Sequence, residues 1–254
     1  MTNIAISILI PARNEAENLP ALLTEITTAL SGRNDYEIVV VDDGSSDETF
    51  SVLRSAQDKG MSVLRILRHS RSLGQSTCIY RAAQRAKGVW LVTLDGDGQN
   101  DPADIPGLLR LVEGSEGDNE GIKLIAGHRV TRRDSWIKRI SSRIANAIRS
   151  RILQDDTPDT GCGLKVMARD SFLQLPYFDH MHRFIPALMQ RHGFRKLVAP
   201  VNHRPRRGGQ SNYGTIDRAL VGIVDLFGVS WLLRRTRFHC KTEEATATSE
   251  KAGS

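Results

Sequence analysis

The sequence predicts an α/β fold with a mostly parallel central sheet flanked by helices, and two observations carry this prediction. Apolar runs of strand length alternate with segments of helix length between residues 4 and 94. Strands separated by such helices are typical of parallel sheets with right-handed crossovers. Carboxylates directly follow two of the runs, at Asp42-Asp43 and at Asp95 and Asp97, and the carboxyl ends of parallel strands are where open α/β sheets bind ligands.

The first half of the chain alternates regularly between strands and helices. The expected strands are 4–10, 37–41, 62–67 and 89–94, and the expected helices are 15–30, 47–59 and 74–86. Each expected strand is a short apolar run bounded by turn residues, which favours burial in the middle of a sheet.

The second half is less regular. The expected elements are a polar loop at 114–121, strands at 122–127 and 164–167, a basic helix at 135–153, short helices around 169–192, an extended segment at 194–201 and an amphipathic helix at about 216–235. We expect a single domain over residues 1–238. The remaining residues, 239–254, are rich in Thr, Ser, Ala and charge, which predicts a disordered tail.

Composition and charge narrow the class of partner. The net charge of +6 comes from 35 basic and 29 acidic residues, and the basic residues concentrate at 128–151 and 203–207, which predicts anionic partners there. Aromatic residues make up only 6% of the chain, too few for the base stacking that binding of single-stranded nucleic acid requires.

The three dispersed cysteines fit a reducing compartment. No signal peptide or membrane span is recognisable, so we expect a cytoplasmic protein that is soluble or bound peripherally to a membrane.

The stretch Asp95-Gly96-Asp97-Gly98-Gln99 is the strongest chemical signal. Two carboxylates on a glycine-containing turn suit a hard divalent cation with oxygen ligands. An ordinary acidic surface turn is the alternative, since Asp and Gly are common in turns. The metal interpretation is favoured because the turn follows a buried strand.

Three segments together resemble a known family. Residues 11–15, the run VVVDDGSSDET and the run LDGDGQNDP are similar to inverting glycosyltransferases of family 2 with the GT-A fold, and within it to polyprenyl-phosphate sugar synthases of the dolichyl-phosphate mannose synthase type. The resemblance implies that residues 1–101 form a nucleotide-binding half and 102–238 an acceptor half. It assigns nucleotide contacts to Pro11, Arg13, Glu15, Asp43 and Asp95. It also implies a site for Mg²⁺ or Mn²⁺ and the sugar diphosphate at Asp95, Asp97 and Gln99.

The acceptor half carries further matches to the same synthases. Arg129 closes a strand, Ser142 follows Lys138 by one helical turn, and Arg206 lies in a segment similar to the family's His-x-x-Arg-x-x-Gly-x-Ser-x-Tyr. The resemblance implies that these four residues bind the phosphate of a polyprenyl phosphate, with Arg139 as an alternative to Lys138. The catalytic residues would then be Asp95, Asp97, Arg129 and Arg206.

Two segments predict contact with an anionic membrane surface. In the basic helix, positions 137, 140, 144, 148 and 152 are all Ile, flanked by basic residues that include Arg149. Such a stripe suits a helix lying in the membrane interface, although a helix packed on the sheet is an open alternative. The apolar segment 220–233 lies between Arg218 and Arg234 and has the same character.

The reaction implied by the resemblance is transfer of a sugar from a nucleotide diphosphate sugar to a polyprenyl phosphate, with inversion, on the cytoplasmic face of a membrane. Such a product would feed the assembly of cell-envelope glycans or glycolipids. Two alternatives stay open: transfer to a hydroxyl group of a glycan or lipid, and a nucleotide- or phospholipid-binding module without turnover. We expect no nucleic acid partner and leave a membrane-protein partner open.

Overall fold

The computed structural model describes residues 4–114, 121–130, 149–205 and 215–235, with side chains of the last segment described from Val221 onward. Most of the polar loop 114–121, the greater part of the predicted helix 135–153 and the predicted tail 239–254 lie outside the described residues.

Seven strands form one sheet. They are β1 (Ile6–Ala12), β2 (Tyr36–Asp43), β3 (Leu64–His69), β4 (Trp90–Thr93), β5 (Leu124–Arg129), β6 (Lys165–Ala168) and β7 (Lys196–Val201). Their order is β3-β2-β1-β4-β6-β5-β7. All neighbours pair in parallel except β6, which runs antiparallel to both β4 and β5.

Helices cover both faces of the sheet. They are α1 (Leu19–Ala29), α2 (Thr49–Asp58), α3 (Gln75–Arg85), α4 (Ile105–Glu113), α5 (helical at 149–153 within the described residues), α6 (Arg169–Leu173), α7 (Ile185–Arg191) and α8 (Thr215–Arg235). Two short 3₁₀ turns span Pro102–Asp104 and Met181–Arg183. No helix in the described part of the chain has both the length and the hydropathy to cross a bilayer.

Two apolar cores lie on opposite faces of the sheet because the strand side chains alternate. Ile8 and Val92 belong to the core that α1 and α4 cover, whereas Leu9 and Leu91 belong to the core that α3, α7 and α8 cover. Every residue of β2 is buried, as expected for a parallel strand covered on both faces.

The predicted α/β fold with a mostly parallel sheet is confirmed. Two features were not predicted: the antiparallel direction of β6 and the helix α4. The direction of β6 is decided by pairing with β4 and β5, which are distant in sequence, so no local pattern encodes it. The strand β1 also continues through Pro11 to Ala12, which Pro11 permits because its missing amide group falls at the end of the strand.

The described end of α5 does not have the membrane-facing character predicted for it. Ile152, the last member of the Ile stripe, packs against the core under α3 and α7. Arg149, assigned to a basic flank, is largely buried, with a side chain 12% exposed, and donates to Asp155 Oδ2 at 2.6 Å and to the carbonyl oxygen of Thr157 at 2.6 Å. In this last turn the contacts favour the alternative of a helix packed on the protein, because Arg149 is held in an ion pair and Ile152 contacts the core.

Candidate active site

The carboxyl ends of β1, β2 and β4 meet around one cavity of about 260 Å³. The strand register explains the convergence, since Ala12 pairs with Asp42 on one side of β1 and Leu9 pairs with Thr93 on the other. The cavity is lined by Pro11, Ala12, Arg13, Glu15, Asp43, Ser72, Gly74, Gln75, Cys78, Asp95, Gly96 and Asp97. Six of the residues predicted to hold nucleotide or metal therefore lie around a single space.

The loops after β1 and β2 are joined by hydrogen bonds. Asn14 has a positive φ of 55°, which lets its amide group donate to Ser45 Oγ at 3.0 Å while its side-chain oxygen accepts from the Ser46 amide at 2.9 Å. The Glu15 amide donates to Thr49 Oγ1 at 2.9 Å. These bonds fix one wall of the cavity.

Asp43 organises the opposite wall. Its carboxylate accepts hydrogen bonds from Ser72 Oγ at 2.7 Å and from the Leu73 and Gly74 amides at 2.9 Å each, and lies 2.7 Å from His69 Nδ1. Burial alone would raise the pKa of Asp43, but these hydrogen bonds outweigh burial and hold the pKa below its ordinary value. Asp43 is therefore ionised at neutral pH and holds the 69–74 loop against the cavity.

The cluster of Asp43, His69 and Cys78 brings three atoms capable of metal ligation within 4.8 Å of one another. Its contacts are those of a hydrogen-bond network, because the carboxylate of Asp43 already accepts from the 72–74 loop. Burial and the charge of Asp43 raise the pKa of the Cys78 thiol, and a protonated thiol is a poor metal ligand. The metal site predicted at Asp95 and Asp97 is a different place on the cavity wall.

Asp95 is held from three directions. Its amide group donates to Asn100 Oδ1 at 3.1 Å, its Oδ1 accepts from Gln75 Nε2 at 2.8 Å, and its carboxylate packs against Gly163. Burial, and next the charge of Asp97, raise the pKa of Asp95 to about 6, although nearby Lys165 and Arg129 oppose the increase.

The residues present fit a hard divalent cation. Gly98 adopts a positive φ of 71°, and the tight turn lets the Gln99 amide donate to Asp97 Oδ1 at 3.1 Å. The charge of Asp97 raises the pKa of Asp95, and a cation bound between the two carboxylates would relieve this repulsion. The Gln99 side chain is not part of the cavity wall, and its assignment as a metal ligand stays a prediction.

Arg129 is the last residue of β5 and is not itself part of the cavity wall. Its Nε and Nη2 each donate to the Asp159 carboxylate at 2.7 Å, and the pair is largely buried, with side chains 14% and 7% exposed. The positive charge of Arg129 acts on Asp95. The structure thus brings one of the four predicted acceptor residues to the metal region, already oriented by a carboxylate.

The segment after β7 is attached to the Asp95–Gln99 loop. Asn100 and His203 form an isolated bridge, and the Arg204 amide donates to the Gln99 carbonyl oxygen at 2.9 Å. The Arg204 side chain reaches Glu25 at 2.6 Å and Asp101 at 2.5 Å. Arg206 lies outside the described residues, as do Lys138 and Ser142.

Sequence reasoning assigned no specific contact to five residues of the site. They are Ser72, Gln75, Asn100, Asp159 and Lys165. Each acts through a partner distant in sequence, such as Gln75 on Asp95 and Asp159 on Arg129. No local spacing signals such pairs. Asn100 does lie in the run LDGDGQNDP, and the family resemblance also covers residues 159–165, for which it implies a scaffold and acceptor-shaping role.

Comparison with known proteins places the sequence in a family. The family model described as Glycosyl transferase family 2 matches residues 7–175. The chain is 35% identical over 82% of its length to the undecaprenyl-phosphate 4-deoxy-4-formamido-L-arabinose transferase of Edwardsiella ictaluri, and it covers 63% of that protein. It is 33% identical over 91% of its length to the dodecaprenyl-phosphate galacturonate synthase of Rhizobium johnstonii, covering 68% of that protein.

Solved structures share the fold at lower identity. The glucosyl-3-phosphoglycerate synthase of Mycobacterium tuberculosis, crystallised with Mg²⁺ and UDP, superposes with a TM-score of 0.64 at 17% identity, over 89% of this chain and 79% of that one. The mannosyl-3-phosphoglycerate synthase of Rubrobacter xylanophilus gives 0.62 at 17% identity, over 91% and 74%. The fold is accordingly the GT-A type that the sequence resemblance implied. By the family match and the identity to its curated relatives, the chain belongs to glycosyl transferase family 2.

Proposed function

We propose that this chain is an inverting glycosyltransferase that moves a sugar from a nucleotide diphosphate sugar to a polyprenyl phosphate. The observation that carries the proposal is the single cavity bordered by Asp43, Asp95 and Asp97, with the positive charge of Arg129 acting on Asp95. Support also comes from the two curated relatives, whose names specify undecaprenyl phosphate and dodecaprenyl phosphate. The product would enter cell-envelope glycan or glycolipid assembly.

In this proposal the donor lies in the cavity with its nucleoside toward Pro11, Arg13, Glu15 and Asp43. Asp95 and Asp97 hold Mg²⁺ or Mn²⁺, ions that accompany related folds in crystals. A bound divalent ion supplies positive charge to the diphosphate as that group leaves the sugar. The hydrogen bonds of Asp95 to Gln75 and of Asp97 to the Gln99 amide keep both carboxylates in place before the donor arrives.

The acceptor needs positioning more than activation. A phosphate monoester is an anion at neutral pH, so it attacks the anomeric carbon without a strong general base. Arg129, with two of its donor groups fixed by Asp159, presents a preoriented positive charge to that phosphate. Lys138 with Ser142, and Arg206, complete the phosphate site in the proposal, which rests for these three residues on the family resemblance.

The helix α8 is the proposed membrane contact. Val224, Phe227 and Trp231 are 71%, 65% and 62% exposed, and their spacing of three and four residues places them in one stripe. On the opposite side, Val229 and Leu233 are buried in the protein core. An exposed apolar stripe ending at Arg234 and Arg235 suits an anionic membrane surface, here the cytoplasmic face. A membrane-protein partner is the other occupant that the stripe would accept.

The experiment is an acceptor assay with the purified chain, a panel of nucleotide diphosphate sugars, Mn²⁺ and a short polyprenyl phosphate, analysed by mass spectrometry of the lipid. We expect one donor to give a polyprenyl phosphate sugar, and Asp97→Ala or a chelator to abolish the product. Transfer only to hydroxyl acceptors, or nucleotide binding without any product from the full donor panel, would contradict the proposal.

A further inference from the structure

Lys165 is a charged residue in the interior of the protein. It opens β6, is 4% exposed, and is flanked along the strand by Leu164 and Val166, both fully buried. Burying an ammonium group is costly unless other groups compensate for lost hydration. A lysine enclosed at this strand position therefore calls for a reason other than apolar packing.

The sheet register places Lys165 behind Asp95. Lys165 pairs with Thr93 across the antiparallel strands β4 and β6, so the two side chains share one face of the sheet. Asp95 follows Thr93 by two residues, just beyond the end of β4, and its charge acts on Lys165. Gly163 lies directly against Asp95, where a Cβ atom would overlap the carboxylate. The missing side chain at Gly163 makes room for the Asp95 carboxylate at a position two residues before Lys165.

The surroundings of Lys165 are polar and contain charges of both signs. Its Nζ donates a hydrogen bond to the carbonyl oxygen of Cys162. Burial, and to a smaller extent the charge of Arg129, lower the pKa of Lys165, whereas Asp95 and Asp159 act in the opposite direction. Its charge also acts on His182, which lies 2.8 Å from Ser76 Oγ at the start of α3. The charge of Lys165 therefore acts both on Asp95 in the metal loop and on His182, which contacts α3.

We propose that Lys165 is a positioning residue of sugar transfer, a buried cation behind Asp95 that favours the metal–diphosphate complex over the bare metal ion. This inference rests on the proposed function and deepens it. Lys165 does not contact the donor. Its positive charge repels a lone divalent cation at Asp95 and Asp97, but it attracts the diphosphate, whose negative charge grows as the sugar departs.

The proposal predicts that removing the charge of Lys165 has opposite effects on Mn²⁺ affinity and on the turnover of sugar transfer. In Lys165→Met the repulsion is gone, so Mn²⁺ alone should bind about tenfold more tightly at pH 8. The turnover of sugar transfer should fall about tenfold, because the leaving diphosphate loses a compensating charge. The melting temperature should stay equal or rise, since a desolvated charge has been replaced by an apolar side chain of similar length.

The measurement is a titration of wild type and Lys165→Met with Mn²⁺ alone, followed by the electron paramagnetic resonance signal of free Mn²⁺, together with thermal melts. Lys165→Gln is the second neutral variant and should shift Mn²⁺ affinity in the same direction. Lys196→Met is the matched control, because Lys196 on β7 is also partly buried and donates to Thr157 Oγ1 at 3.0 Å. It should leave Mn²⁺ affinity unchanged.

A purely structural Lys165 would give the reverse pattern: a lower melting temperature, weaker Mn²⁺ binding and no folded protein in the worst case. That result, or unchanged Mn²⁺ affinity in both neutral variants, overturns the proposal. Failure of the proposed function would look different, since wild type would then bind Mn²⁺ but transfer no sugar to polyprenyl phosphate, while the effect of Lys165 on Mn²⁺ affinity would still be measurable.

Discussion

The carboxylate of Asp159 accepts two hydrogen bonds of 2.7 Å from the guanidinium group of Arg129. It also accepts a hydrogen bond from the Arg129 backbone amide at 3.2 Å. Arg129 ends β5, whereas Asp159 lies in the segment that leads into β6. The pair therefore ties the segment before β6 to the strand end that faces Asp95. Among the cations proposed to bind the acceptor, Arg129 is the one within the described residues, and this pair fixes the orientation of its guanidinium group.

Asp159→Asn should weaken the interaction with Arg129 while keeping the shape of the side chain. We expect sugar transfer to fall by about tenfold or more, because Arg129 is no longer held in one orientation, and the free energy of unfolding to fall by about 3 kcal/mol, because one partner of a buried pair is lost. The measurement is transfer rate against polyprenyl phosphate concentration. Asp170→Asn is the control, since Asp170 is 90% exposed in its 3.6 Å pair with Arg169. Equal rates for Asp159→Asn and wild type would refute the positioning role.

Gly163→Ala should damage the metal site selectively. An added Cβ would overlap the Asp95 carboxylate and stand 2.7 Å from Asn100 Oδ1, so one of these two groups must move. We expect Mn²⁺ binding and transfer to fall by at least about tenfold, while the chain stays folded. Gly107→Ala in α4, whose nearest neighbour is Arg110 Nη2 at 3.8 Å, is the matched control and should be harmless. Wild-type Mn²⁺ affinity in Gly163→Ala would show that Asp95 does not hold the ion.

His182 should make the fold sensitive to acid. Burial, and next the charge of Lys165, lower the pKa of His182 from 6.5 to about 3. Below about pH 6.5 His182 becomes protonated in the unfolded chain but stays neutral in the folded chain. The contribution of neutral His182 to the free energy of unfolding is therefore complete above about pH 6.5. It is lost as the pH falls towards 3, by up to about 1.4 kcal/mol per pH unit.

The check is the free energy of unfolding of wild type and His182→Gln measured by denaturant titration between pH 4 and pH 7. The difference between the two proteins isolates His182 from the carboxylates that titrate in the same range. We expect the wild-type curve to fall more steeply than that of His182→Gln as the pH decreases. Parallel curves would mean that His182 is not buried in its neutral form.

The exposed stripe on α8 should bind anionic vesicles. Phe227→Ala combined with Trp231→Ala removes two large apolar side chains that are 65% and 62% exposed, and we expect most vesicle binding at low salt to be lost without a change in melting temperature. Leu111→Ala is the control, because Leu111 is 42% exposed on α4, a helix on the other face of the sheet. Cosedimentation measures the outcome. Undiminished binding by the double variant would remove α8 from the membrane contact.

The sequence was sufficient for the fold class and for the convergence of the acidic loops. Parallel strands place their carboxyl ends on one edge, so Asp43 and Asp95 were expected to meet, and they border the same cavity. The family resemblance supplied the identity of the chain, which periodicity alone does not encode.

The sequence was insufficient wherever a residue acts through a distant partner. For Lys165 the family resemblance implies only a scaffold and acceptor-shaping role, shared with the rest of segment 159–165. Its antiparallel pairing with Thr93, on the strand that leads into Asp95, is visible only in the structure. Arg149 reads as a membrane-facing cation until its ion pair with Asp155 is seen. In both positions tertiary pairing decides the role of a charge, and helical or strand periodicity carries no information about the partner.

The central claim is that the acceptor is a lipid phosphate, and Arg206→Ala tests it most directly. Loss of one charge-assisted contact costs about 1.5–3 kcal/mol, so transfer to polyprenyl phosphate should fall by roughly one to two orders of magnitude. Nucleotide affinity, measured by titration calorimetry, should change far less, because the proposed nucleoside contacts lie at residues 11–15 and Asp43. Arg207→Ala, at a neighbouring basic residue without an assigned contact, should resemble wild type. A rate for Arg206→Ala equal to wild type at every polyprenyl phosphate concentration would contradict the lipid-phosphate acceptor.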